Sequence, residues 1–157
     1  MRFNIALRNL LVVLFGALVL SACSTTKKSD LAGDVYTGTE TIEYLAKGVP
    51  DRVFFATNKS SLTTAARDTL RKQATWLRKN KSLTVTVEGH ADERGTREYN
   101  LALGERRANA AKDYLMTYGI SGKRISVISY GKEKPVNPAS NPLAWSQNRR
   151  SVTVKTN

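Results

Sequence analysis

A chain of 157 residues, 41% of them hydrophobic, has room for one ordinary domain and enough apolar side chains to fill its core. One cysteine and one histidine exclude an internal disulfide and leave too few ligands for a Cys/His metal shell. The net charge of +12 favours an anionic partner but does not choose between nucleic acid, a membrane surface and an acidic polymer.

At the N-terminus, Arg2 and Arg8 accompany a short polar start, and residues 10–20 (LLVVLFGALVL) form an apolar run. It is shorter than the about 20 residues of a bilayer span and has the length of a signal-peptide core. Leu20-Ser21-Ala22-Cys23 follows and resembles a bacterial lipobox. That resemblance implies a diacylglycerol on the Cys23 thiol, cleavage after Ala22 and acylation of the new amine. Each buried methylene contributes about 0.8 kcal/mol of anchoring, so three acyl chains hold a protein permanently. Ser24 stands where an aspartate tends to retain such lipoproteins in the inner membrane, which implies export to the outer one. An exported protein rarely meets nucleic acid, so no nucleic-acid partner is expected.

Residues 1–22 thus read as a lipoprotein signal peptide. Residues 23–48 read as a lipidated N-terminus and flexible tether: they are rich in Ser, Thr, Gly and Lys and keep no sustained period. A helical turn fits at residues 41–46. The folded domain is expected over residues 49–157. Residues 52–55 (RVFF) suit a buried strand. Leu62, Ala65, Ala66, Thr69, Leu70, Gln73, Ala74 and Leu77 then recur at three- and four-residue steps, predicting a helix over 64–79 capped by Thr63 or Thr64. Residues 83–88 (LTVTVE) alternate as a half-buried strand.

A second helix is predicted over 100–118, with Asn100 as its cap and Gly119 as its end. Gly104, Ala108, Ala111 and Leu115 form its inner stripe, small enough for close approach to a sheet. Residues 125–129 are a third strand, 134–142 a proline-rich loop, and 143–147 a single helical turn. Residues 150–155 alternate again, with Val152 and Val154 expected inward. The order β-α-β-α-β-β predicts an α/β two-layer sandwich, two main helices on a four-stranded mixed sheet.

The chain's chemistry concentrates at residues 88–109 (EGHADERGTREYNLALGERRAN), where a strand hands over to a helix. His90, Asp92 and Glu93 lie close together there, so a wall-acting hydrolase is one reading. No nucleophile–base pair accompanies them, and a lone histidine at a strand end is more often structural. Asp92 and Arg107 could equally pair with each other to lock loop to helix.

The segment GHADERGTREYNLALGERRANAAKDYL, with YGKEKP downstream and NRR at 148–150, resembles the peptidoglycan-associated lipoproteins of Gram-negative bacteria and, more broadly, OmpA-like peptidoglycan-binding domains. The resemblance covers about residues 50–155. It implies an outer-membrane lipoprotein whose domain faces the periplasm and that is not an enzyme and needs no cofactor. It also implies non-covalent binding of the peptidoglycan stem peptide at diaminopimelate, and partnership with TolB and the Tol system in envelope integrity and cell division. Diaminopimelate presents an ammonium and a carboxylate on one carbon, so its site needs an acid and a guanidinium a few ångströms apart. The resemblance puts these at Asp92 and Arg107, and an arginine fork suits both carboxylate oxygens. It places Phe55, Asn100 and Leu103 in the lining, backbone amides of the Gly89–Gly95 loop as further donors, and Arg149 and Arg150 at the border. One departure stands out: Ala56 occupies a position where most members carry an aspartate beside the ligand.

Overall fold

The computed structural model describes residues 34–156. The signal segment, Cys23 and the tether as far as residue 33 lie outside the described residues. A short hairpin of β1 (Tyr44–Ala46) and β2 (Val49–Pro50) leads into β3 (Arg52–Phe54), α1 (Thr64–Lys79), β4 (Val85–His90) and α2 (Arg97–Thr117). A 3-10 turn, Gly122–Arg124, then precedes β5 (Ile125–Gly131), α3 (Pro142–Asn148) and β6 (Arg150–Lys155). The main sheet runs β3-β6-β4-β5; β4 and β5 are parallel, while β6 is antiparallel to both of its neighbours. This is the expected two-layer sandwich on a mixed sheet, with α3 as a third, short helix between the last two strands.

The core lies between one face of the sheet and the long helices. Val53, Val85, Val87 and Ile125 from the strands meet Leu70, Ala74 and Leu77 of α1 and Ala108, Ala111 and Leu115 of α2. Each buried leucine contributes about 1.5–3 kcal/mol relative to an exposed one. Both helices start on threonine caps: Thr63 Oγ1 accepts from Ala66 N, and Thr96 Oγ1 from Tyr99 N. The small stripe on α2 brings backbone against backbone. A Cβ on Gly89 of β4 would stand 1.8 Å from the carbonyl oxygen of Gly104.

Three expectations are corrected. Residues 34–48, expected as the end of the tether, pack against the domain from Asp34 on. Tyr36 and Leu45 are buried, and the Tyr36 ring meets Phe54 edge-on at 4.8 Å. Arg52 is buried against Asp51 (2.7 Å) and reaches Glu43 (3.3 Å), which ties the hairpin down. Residues 44–46 are therefore strand rather than helical turn; two anchors nine residues apart leave no period to read. Second, α2 begins at Arg97, not Asn100, because the cap is Thr96 and Gly95 at φ +95° breaks the chain just before it. Third, β6 turns its polar side to the helices. Thr153 pairs in register with Val87, and its hydroxyl donates to Gln73 Oε1 on α1 at 2.8 Å. Gln73 in turn donates to Pro50 O at 2.8 Å, so its buried amide is satisfied. Val152 and Val154 face the other way, and Val154 is exposed.

Candidate functional site

Strand β4 ends at His90, and the next residues turn sharply across the C-terminal ends of the sheet. Ala91 N is fixed to Gly131 O at 2.8 Å, which aims Asp92 back towards the start of β6. The loop is braced from both sides. Asn100, buried in the first turn of α2, donates to Arg94 O at 2.8 Å. Lys132 Nζ reaches Gly95 O at 2.7 Å and Glu93 O at 3.2 Å. Such bracing gives the loop a defined shape before any ligand arrives.

Asp92 is buried, and its carboxylate is fully engaged. Oδ1 accepts from Arg94 N (3.1 Å) and Arg94 Nε (3.2 Å). Oδ2 accepts from Arg94 Nη2 (2.7 Å) and Arg149 Nη1 (3.3 Å). Burial pushes its pKa up, but the bonds from Arg94 and Arg149 outweigh this and hold it below the usual carboxylate range. Arg94 is the exposed member of this cluster: it is 42% exposed and lies over the Trp145 ring at 4.3 Å. Arg149 is buried, and its Nε is fixed to Phe55 O at 3.0 Å.

Arg107 is fully buried, nearly three turns into α2. It donates to Lys59 O (2.9 Å), His90 O (2.8 Å) and Ala56 O (3.1 Å), and its guanidinium lies 5.3 Å from the centre of the Phe55 ring. Burial and the charge of Arg149 bring its pKa down to about 10, so it remains a cation at neutral pH. Asp92 and Arg107 make no ion pair with each other. Arg107 forms a charged floor to which the β3–α1 loop and the end of β4 are both fastened.

A cleft of about 420 Å³ opens beside this cluster, lined by Thr57, Arg94, Trp145 and Arg149 and by Pro142 and Leu143 at the start of α3. Of the expected residues only Arg149 lines this cleft; Asp92 is bonded to its lining residues Arg94 and Arg149, Phe55 O accepts from Arg149, and Arg107 lies against the Phe55 ring. Asn100 and Leu103 are buried behind the loop rather than on the cleft wall. Gly89 lies within the sheet, paired with Ser129 and Ser151 and facing α2, and Gly95 serves the turn. Arg150 points to the opposite face, where it donates to Lys134 O at 3.2 Å, and burial with the nearby Arg52 charge lowers its pKa to about 10. Ala56 lends the site its carbonyl only, through Arg107. Arg94 and Trp145 are not among the residues the sequence singles out; the signals available are an arginine two residues after the key acid and an aromatic on the short 143–147 helical turn.

His90, Asp92 and Glu93 do not form a catalytic group. His90 is buried beside Tyr130 (5.5 Å between rings), with no well-formed hydrogen bond to either ring nitrogen. Burial and the charges of Arg150, Lys134 and Arg52 push its pKa down to about 3, so it is neutral. Glu93 turns outward to Trp145 Nε1 (2.8 Å) and Ser140 Oγ (3.0 Å). Among the described residues no three His, Cys, Asp or Glu side chains gather as metal ligands.

A braced strand-to-helix loop with a buried acid above a buried arginine, on a four-stranded mixed sheet, defines an OmpA-like domain, and the OmpA family model matches residues 54–149. The chain belongs to the peptidoglycan-associated lipoprotein family, whose members carry this domain. It is 47% identical to the peptidoglycan-associated lipoprotein of Rhizobium meliloti (strain 1021), over 96% of this chain and 89% of that one. The corresponding protein of Brucella melitensis biotype 1 is 43% identical over 96% of this chain and 94% of its own length. Among solved structures, the peptidoglycan-associated lipoprotein from Burkholderia pseudomallei matches with a TM-score of 0.66 and 35% identity, covering 68% of this chain and 90% of that one. The C-terminal domain of Helicobacter pylori MotB matches at a TM-score of 0.64 and 20% identity, a likeness of fold alone.

Proposed function

We propose that this protein is an outer-membrane lipoprotein, anchored through Cys23, that binds peptidoglycan non-covalently at the diaminopimelate of the stem peptide. The domain faces the periplasm and tethers the outer membrane to the wall, with TolB and the Tol system as its protein partners. Family membership supports the wall as ligand, and the observation that carries the finer reading is the buried Asp92 set among Arg94, Arg149 and Arg107 beside an open cleft. The ligand ammonium takes the place of the Arg94 side chain at Asp92, since that is the exposed partner of a carboxylate whose acceptor sites are full. The ligand carboxylate settles towards the cationic floor of Arg149 and Arg107. A charge-assisted contact of this kind is worth about 1.5–3 kcal/mol.

No step in this reading makes or breaks a covalent bond, and the scattered placement of His90, Asp92 and Glu93 gives the hydrolase alternative no support. The test is a pull-down on purified diaminopimelate-type wall. The protein sediments with the wall, and excess free stem peptide releases it. Sedimentation that free stem peptide leaves unchanged would contradict the reading.

A further inference from the structure

We infer that residues 34–38 form a strap whose Asp34 carboxylate occupies the place of a wall-peptide carboxylate, so that the N-terminal segment and the stem peptide compete for one site. This inference rests on the functional reading above and adds its regulation.

Asp34 is held as a carboxylate ligand would be. Its Oδ2 accepts from the backbone N–H of Thr57 at 2.7 Å and lies 3.4 Å from Arg149 Nη2. The same arginine nitrogen also donates to the Asp34 carbonyl oxygen. A backbone amide and a guanidinium converging on one carboxylate, at the mouth of a cleft, is the chemistry of an anion site. Burial pushes the Asp34 pKa up, but Thr57, Arg149 and Arg94 hold it below the ordinary range, so it is ionised at neutral pH. Asp34 and Asp92 therefore sit on the two ends of one Arg149 fork.

The strap is also less deeply seated than Arg107 and Asp92. Arg107 and Asp92 are tied into the core, whereas the Asp34 side chain is 43% exposed. Beyond Asp34 the strap is pinned chiefly by Tyr36 on Phe54. On one side of it lies the 420 Å³ cleft, and on the other a second cleft of about 1070 Å³ reaching to the start of α1. Asp34 and Val35 line both, so lifting the strap joins them into a longer groove. A ligand that needs the open form pays the closed fraction as lost affinity, and a variant that opens the strap recovers it.

The test is calorimetry of the full-length chain in detergent, titrated with a synthetic stem peptide ending in meso-diaminopimelate. Wild type is compared with Asp34→Ala, which removes the competing carboxylate, and with Tyr36→Ala, which removes the strap's anchor and leaves Asp34 in place. Both variants are expected to bind about three- to tenfold more tightly, as for an equilibrium that is mostly closed. In wild type, saturating peptide is expected to speed amide hydrogen exchange across residues 34–38. Affinities at or below the wild-type value in both variants, or an unchanged strap exchange rate with bound peptide, would overturn the inference while leaving peptide binding intact. If neither wild type nor variants bind the peptide, the functional reading falls, and this inference falls with it.

Discussion

Replacing Arg107 by alanine tests whether that residue is a floor of the fold as well as of the site. Its three donors serve carbonyls from two segments distant in sequence, Ala56 and Lys59 on one side and His90 on the other. The His90 carbonyl is deeply buried, and leaving it without a donor costs about 1–3 kcal/mol. The other two acceptors are partly reached by solvent and lose about 0.5–1.5 kcal/mol each. These terms together come to about 2–6 kcal/mol, with a midpoint near 4 before the lost packing on Phe55, a large share of the roughly 5–15 kcal/mol that holds a domain together. For a domain of this size the melting temperature falls by about 10–20 °C. Arg107→Lys keeps the charge and reaches at most part of the carbonyl set, so it falls by about half as much. Differential scanning calorimetry of the three proteins is the assay. An Arg107→Ala protein melting within about 3 °C of wild type would show that the carbonyls do not depend on Arg107. Peptide-binding comparisons at this position are then best made with the lysine variant, which stays folded at the assay temperature.

Other consequences follow from single residues. His90 has a folded pKa of about 3 against about 6.5 unfolded, so between those values the unfolded chain holds the extra proton. Stability therefore falls as pH drops from 6 to 4, and His90→Gln flattens that slope by up to about 1.4 kcal/mol per pH unit, measured by urea unfolding; parallel slopes would contradict the assignment. Gly89→Ala drives a methyl into the Gly104 carbonyl, so the variant should lose several kcal/mol or fail to fold, whereas Gly48→Ala, with open space around it, bears only its local φ strain. A thermal melt of each decides. Mass spectrometry of the membrane-extracted protein should find acyl chains on a peptide beginning at Cys23; a free thiol there would end the lipoprotein reading.

Much of the fold is legible because its signals are local. Helix α1 carries an apolar period of several turns and a threonine cap, and it spans the predicted 64–79. Helix α2 carries both Thr96 and Asn100, either of which can cap, and only the φ of Gly95 decides between them. Strand β6 misleads because its valines alternate correctly while a tertiary bond from Thr153 to Gln73 turns the polar face inward. At the site, the pattern of acid, loop and arginine is readable, but its wiring is not. That Arg107 serves backbone carbonyls, that Arg94 covers Asp92, and that Asp34 returns to Arg149 all depend on contacts between distant segments. Residues 34–48 look like tether in the sequence because their two buried anchors, Tyr36 and Leu45, have no periodic company.

Recognition of a zwitterion by an acid set among arginines can be read out by calorimetry with paired stem peptides. One peptide ends in meso-diaminopimelate; the other carries lysine in its place and so lacks one carboxylate. The wild-type domain should prefer the first by about 10- to 150-fold, the equivalent of one charge-assisted contact. Asp92→Asn should weaken diaminopimelate binding by a similar factor. In wild type that binding should persist to below the ordinary carboxylate range and fade only as pH drops through the lowered pKa of Asp92. Equal affinity for the two peptides, with Asp92→Asn folded and binding as wild type, would contradict the account.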